Sequence, residues 1–267
     1  MKKFFLLLML ALAAFALSAR TIYITRHGQR GDRRYYDEAV NEPKLTPLGV
    51  EQATLLAHYL KDKCGFNGEI LVSPLLRTLE TALPAAELLN KKMILEPGIQ
   101  ELATSKKPLR GMTFAEIEAR FPGLVVKSEA FTEPWRLYNE DAAARRERTA
   151  NALKRILANH KGDLLLVGHG SSVGDLRRCL DPQLPKGKKV RGTVWNCCLF
   201  IYELDENDRP VNCRYTTEFM PDEKVTNNFR CPKIERPDDP MYATRKQDAE
   251  RARRRAKDVK PAAGEKK

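Results

Sequence analysis

The chain holds only four histidines and six cysteines. No pair of them has the spacing of a zinc site, so no structural metal is predicted. It has no internal repeats, which sets aside repeat architectures. It carries no DNA- or RNA-binding motif to accompany its positive charge. Its longest apolar run, residues 4–17, is fourteen residues long, short of the about 20 that a membrane-spanning helix needs. No cysteine follows that run, so a lipoprotein anchor is not indicated.

What is present begins with a basic Met1-Lys2-Lys3 ahead of the apolar run, and the small residues Ala16, Ser18 and Ala19 at its end. That is the pattern of a secretory signal peptide. Cleavage after Ser18 or after Ala19 leaves the first strand almost at the mature N-terminus. Left uncleaved, the run would be an anchor. The expected localisation is exported, periplasmic or secreted.

The net charge is +12, and much of it is local. Residues 245–267 carry ten Lys or Arg against four acids, a charge of +6. Such a tail can bind nucleic acid or an anionic surface. An exported protein rarely meets nucleic acid, so none is expected as a partner. Two readings remain: a solvated, partly helical tail, or an electrostatic contact with an anionic envelope surface. The six cysteines are Cys64, Cys179, Cys197, Cys198, Cys213 and Cys231, and an even count in an exported protein permits disulfides. Cys213 and Cys231 are the expected bridge. Cys197 and Cys198 are adjacent in a predicted strand, so their side chains point to opposite faces.

After a signal peptide over 1–19, the pattern gives one α/β domain over 20–220 and an irregular, basic extension over 221–267. Residues 21–25 alternate and are rich in β-branched and aromatic types, which predicts a strand. A polar loop over 29–43 should line the mouth of a site. Thr46-Pro47 predicts an N-cap and first turn, with Leu48, Ala53, Leu55, Leu56 and Leu60 as the apolar face and Gly65 as the stop. Strands follow at 69–72 and 92–95, with a helix opened by Ser73-Pro74 between them. Residues 99–138 show no clean periodicity apart from a helix over 113–121. An amphipathic helix over 141–160, a buried strand over 164–167 and a helix over 172–180 come next. A strand over 193–204 and a possible hairpin partner over 211–219 close the domain.

Two strands end in histidine: Thr25-Arg26-His27-Gly28-Gln29-Arg30 and Val167-Gly168-His169-Gly170. The C-terminal ends of strands are where open α/β sheets place their ligands. Imidazole is a competent nucleophile towards phosphorus, and guanidinium is the group best shaped for phosphate oxygens. The glycine after His27 should let the backbone turn sharply and let a substrate approach. A third piece, Ser73-Pro74-Leu75-Leu76-Arg77-Thr78-Leu79-Glu80-Thr81-Ala82, follows the strand at 69–72.

Together with Leu45-Thr46-Pro47-Leu48-Gly49-Val50-Glu51-Gln52-Ala53, these pieces resemble the histidine phosphatase superfamily, in its phosphoglycerate mutase-like branch. The resemblance covers residues 21–201. It implies a three-layer α/β/α sandwich with a mostly parallel central sheet, here with a basic C-terminal extension. It implies a phosphomonoester hydrolase with no cofactor, His27 as the nucleophile that becomes a phosphohistidine, and Arg26, Arg77 and His169 on the phosphate. It also implies that residues from the 99–138 segment cap the site. Glu101, in Ile99-Gln100-Glu101-Leu102, matches the place of the general acid. The acid-phosphatase branch puts an Asp directly after its second histidine, where this chain has Gly170. Arg30 nevertheless echoes that branch's Arg-His-Gly-x-Arg, so it either binds phosphate too or is a solvated loop arginine. Glu80 is expected to pair with nearby arginines, and His58 and His160 to be ordinary surface residues.

Three functions fit: a phosphatase, a mutase-like phosphoryl transferase, and a non-catalytic phosphate binder at the envelope. A mutase needs priming by a cytoplasmic metabolite, and a pseudoenzyme would usually have lost one of His27, the arginines or His169. The expected partner is an anionic small-molecule or glycan phosphomonoester. Sugar phosphates, phosphorylated glycans and phosphoproteins all remain open as substrates.

Overall fold

Strand β1 (Arg20–Arg26) is the centre on which the sheet is built. All its residues except Thr21 are buried, on odd and even positions alike, as in a strand covered on both faces. The computed structural model describes residues 20–31, 36–40, 42–104, 111–137 and 139–227. Residues 1–19 and the basic tail lie outside them, and so does Cys231.

In chain order the elements are β1, β2 (Tyr36–Asp37), β3 (Glu42–Pro43), helix α1 (Pro47–Asp62), β4 (Glu69–Val72), α2 (Leu76–Leu89), β5 (Met93–Leu95), α3 (Phe114–Arg120), β6 (Val125–Lys127), α4 (Ala142–Asn159), β7 (Leu164–Gly168), α5 (Gly170–Leu180), β8 (Leu199–Leu204) and β9 (Pro210–Thr216). The seven-stranded sheet has the order β6-β5-β4-β7-β1-β8-β9. β6, β5, β4, β7 and β1 run parallel, and β8 pairs antiparallel with both β1 and β9.

The three layers are written in the strand period. Tyr23, Leu165 and Val167 join one apolar cluster with α1, α2 and α3. Ile22, Ile24, Leu164 and Leu166 join another with α4 and α5. Successive side chains of a strand point to opposite faces, so one run such as Leu164–Gly168 fills both layers. The α/β/α sandwich with a mostly parallel sheet is therefore as expected.

Helix α1 starts as its sequence says. Thr46 Oγ1 accepts from Gly49 N at 3.1 Å, and Pro47 takes the first turn. Helix α2 does not start with its own cap. Its N-cap is Leu75, which offers no side-chain acceptor. The carboxylate of Glu42 supplies one from 34 residues away, accepting from Leu76 N at 2.7 Å.

Several local expectations are corrected. Residues 29–43 are more than a polar loop: β2 and β3 pair as a small antiparallel ladder, and Glu42 is fully buried. The segment after Ile99 contributes β6 to the sheet edge as well as a helix. The strand predicted over 193–204 begins only at Leu199. Cys197 sits ahead of it in a turn, at φ 53°. The two cysteines do bury in opposite layers, Cys197 with α1 and α2 and Cys198 with α4 and α5. Cys213 is buried and has no disulfide partner among the described residues; Cys231, its expected partner, lies outside them. Beyond residue 220 the chain still packs: Val225 lies in the core and Thr226 is buried.

Candidate active site

β7 lies between β1 and β4, so the C-terminal ends of three neighbouring parallel strands meet at one place. The backbone ladder runs on into the site. His27 N donates to Gly168 O at 2.9 Å, and Ser73 N donates to Val167 O at 3.1 Å. Arg26 and His27 therefore come from the end of β1, Ser73 from the end of β4, and His169 from the end of β7. Arg77 follows in the first turn of α2.

The requirement for glycine after His27 differs from the one expected. Gly28 is needed for a close approach of two backbones. A Cβ there would lie 2.5 Å from Gly49 O, and a Cβ on Gly49 would lie 2.1 Å from Gln29 O. The turn is then pinned by side chains. Gly28 N donates to Thr81 Oγ1 at 2.9 Å, Gln29 N to Gln52 Oε1 at 2.7 Å, and Asn196 Nδ2 to His27 O at 2.9 Å.

His27 is 1% exposed and His169 is fully buried. Their ring centroids are 5.4 Å apart, with the planes at 59°. His27 Nδ1 lies 2.7 Å from the carbonyl of Gly28. A carbonyl only accepts, so Nδ1 carries the proton and Nε2 keeps its lone pair. Burial, then the charges of Arg77 and Arg26, hold the His27 imidazolium well below its ordinary range, so the ring is neutral near pH 7. The same causes lower His169, burial first and then Arg77 and His27. His169 Nε2 lies 2.9 Å from Ser73 Oγ.

Arg26 and Arg77 are both buried. The Nε–H of each has no hydrogen-bond partner among the described residues. Buried donors left in that state are costly, about 1–3 kcal/mol each and more for charged groups, unless an acceptor from outside meets them. Burial lowers Arg77 to about 10, which still leaves it charged at neutral pH. Arg30 stands at the rim. Its backbone bridges to Leu45, its Nη1 reaches Gly31 O at 3.4 Å, and its charge acts on His27, Arg26 and Arg77.

Glu101 is half-buried on the loop after β5, and its charge acts on both Arg26 and Arg77. It accepts from Ser171 Oγ in the first turn of α5. Its loop is braced from behind by Arg148, which donates to Gly98 O at 2.7 Å and Gln100 O at 3.3 Å. Glu140 holds Arg148 with two bonds of 2.7 and 2.8 Å. Among the described residues Glu80 has no arginine partner. Its carboxylate accepts from Leu45 N at 2.6 Å, and burial pushes it up to about 7. His58 lies 3.7 Å from Asp62 and His160 2.9 Å from Glu69, both away from this cluster.

Sequence reading brought together Arg26, His27, Arg77, His169 and Glu101, and the structure gathers those side chains at one end of the sheet. It missed Ser73, Ser171, the Glu140–Arg148 brace and Asn227. Ser73 was in view within its motif, but nothing in the motif said that its hydroxyl meets His169. Asn227 Oδ1 accepts from Arg26 Nη1 at 2.6 Å across 201 positions of sequence, which no local pattern can signal. Among the described residues no group of three or more His, Cys, Asp or Glu is placed to hold a metal ion.

Residues 22–215 match the family described as histidine phosphatase superfamily (branch 1). Among curated proteins, the chain is 36% identical over 115 residues to the transcription factor tau 55 kDa subunit of Saccharomyces cerevisiae. That match spans 39% of this chain and 26% of the relative. It is 40% identical over 83 residues to the PE-PGRS family protein PE_PGRS11 of Mycobacterium tuberculosis, which spans 30% of this chain and 14% of that one. The chain thus covers about a quarter or less of the length of these two relatives. Among solved structures, it is similar to the ecdysone phosphate phosphatase from Bombix mori in complex with tungstate. The TM-score is 0.52 at 19% identity, over 76% of this chain and 93% of that one. At that identity the likeness concerns the fold.

Proposed function

Because the chain belongs to the histidine phosphatase superfamily (branch 1), we propose that it is a phosphomonoester hydrolase working through a phosphohistidine at His27. One observation carries this reading. A buried, neutral imidazole with its Nδ1 proton fixed on Gly28 O feels the charges of two buried guanidiniums, Arg77 and Arg26, whose Nε–H donors have no partner among the described residues.

A phosphate monoester carries about two negative charges near neutral pH. Its oxygens meet Arg26 and Arg77, with His169 beside them and Arg30 at the rim. His27 Nε2 attacks phosphorus, and the P–O bond to the leaving group breaks. Glu101 gives that oxygen its proton. Water then attacks the phosphohistidine, Glu101 takes the proton back, and inorganic phosphate leaves. Two easier steps replace one hard one. The fixed cations stabilise the charge on the equatorial oxygens without reorganising. The arginines favour an anionic phosphomonoester, either a small molecule or a phosphorylated glycan.

The test uses purified protein and a panel of phosphomonoesters. His27→Ala should fold and lose turnover, and wild-type protein should yield trapped phosphate that is labile to acid and stable to base. A folded His27→Ala variant that keeps most of its activity would overturn the reading. Export belongs to the same proposal. Residues 1–19 have the pattern of a signal peptide, and the basic tail offers contact with an anionic envelope surface.

A further inference from the structure

We propose that Asn227 is a positioning residue for Arg26, and that the segment from Lys224 to Asn227 completes the phosphate pocket. The inference rests on the phosphate-binding role given to Arg26 above.

Two acceptors hold one corner of that guanidinium. Nη1 donates to Asn227 Oδ1 at 2.6 Å and to Val194 O at 2.9 Å. A guanidinium is planar and carries its donors in a rigid fork, so fixing one corner aims the rest. The edge left over is the one with the unpartnered Nε–H. Asn227 points Arg26 at an incoming anion by occupying the opposite corner.

Asn227 is itself held in place. Val225 is anchored in the core. Asn196 N donates to Thr226 O at 2.7 Å, and Gln52 Nε2 donates to Thr226 Oγ1 at 3.0 Å and to Lys224 O at 2.5 Å. Asn196 and Gln52 are also the two side chains that pin His27 O and Gln29 N. The segment from Lys224 to Asn227 therefore reaches three positions of the nucleophile turn: Arg26 directly, and His27 and Gln29 through one side chain each.

The amide is the right chemistry for this task. A carboxylate at 227 would also hold Nη1, but its charge would offset the cation that phosphate needs. An amide oxygen orients the guanidinium and leaves its charge in place.

The test compares full-length wild type, Asn227→Ala and Asn227→Asp by calorimetric binding of inorganic phosphate, by kcat and KM on p-nitrophenyl phosphate, and by thermal midpoint. Asn227→Ala should lose about tenfold in phosphate affinity and in kcat/KM, the lower range for one hydrogen bond to a charged group, with its midpoint unchanged. Asn227→Asp should restore kcat towards wild type while KM and the phosphate dissociation constant stay raised. Wild-type binding and turnover in Asn227→Ala would overturn the proposal. So would parallel losses in both variants that track a lowered midpoint, since that marks a merely structural contact. If wild type hydrolyses no phosphomonoester, the hydrolase reading fails alone, and the phosphate affinities still decide the role of Asn227.

Discussion

Glu101 accepts a hydrogen bond from Ser171, two residues after His169. The contact ties the loop after β5 to the first turn of α5 and holds a carboxylate whose charge acts on Arg26 and Arg77. A general acid matters in proportion to the need of its leaving group. An alkyl phosphate leaves as a strongly basic alkoxide, and an aryl phosphate as a stable phenolate. Glu101→Gln should therefore cut single-turnover phosphorylation by a sugar phosphate by about 10²–10⁴-fold, while sparing p-nitrophenyl phosphate. Equal loss on both would assign Glu101 a structural role.

Gly28→Ala should destabilise the fold by about 1–3 kcal/mol, the usual cost of forcing extra atoms into a packed site. The added methyl would meet a backbone oxygen at 2.5 Å, which cannot swing aside as a side chain can. Urea denaturation measures the loss, and turnover should fall with it because His27 is the preceding residue. Stability equal to wild type would mean that the two backbones separate freely.

Glu80 gives a prediction with a defined pH window. Burial pushes its carboxyl up to about 7, against an ordinary value near 4.5. A raised folded value means that its contribution is fully present below about pH 4.5 and is lost as pH rises through 7. Glu80→Gln keeps an oxygen for Leu45 N and removes the ionisation. The variant should match wild type at pH 4.5 and exceed it at pH 8 by about 1–3 kcal/mol. Equal stabilities at pH 8 would show that the carboxylate ionises there without penalty.

The two buried histidines act in the opposite direction. Both are lowered by burial and by the arginines. Their contribution is full above about pH 6.5 and falls as pH drops towards their folded values. His169→Asn should flatten the decline of the thermal midpoint below pH 6.5. A decline as steep as that of wild type would mean that His169 does not hold off its proton.

Export predicts a mature N-terminus at Ala19 or Arg20, read by N-terminal sequencing of protein from the producing cell. Arg20 is the first residue of β1, so either cut spares the sheet. Recovery of Met1 on protein from a soluble cytoplasmic fraction would reverse the proposal.

The sheet centre was legible because its strands are apolar runs that stop at Arg26-His27 and Gly168-His169. Burial on both faces writes itself into sequence as a continuous run. β6 was not legible, because Val125–Lys127 is three residues in a segment without periodicity. The strand predicted from residue 193 was too long because Trp195 and Val194 have strand-like side chains, although the carbonyl of Val194 is bound to Arg26 instead of a ladder partner. The core of the site was legible from motifs whose members stand within a few residues of one another. Its supports were not. Glu42 on Leu76, Arg148 on Gly98 and Asn227 on Arg26 are tertiary contacts, and each depends on a residue that stands in none of the motifs.

The amide of His27 donates to Gly168 O, and so continues the β1–β7 ladder one step past the strand. Its neighbours Gly28 N and Gln29 N are held by buried side-chain oxygens. Three consecutive amides, of His27, Gly28 and Gln29, are thus closed to solvent as tightly as the middle of the sheet. In deuterated water they should exchange only through the largest, cooperative opening of the molecule. His27 then belongs to the slowest-exchanging unit of the protein, and ligand entry must be accommodated by other parts of the pocket wall.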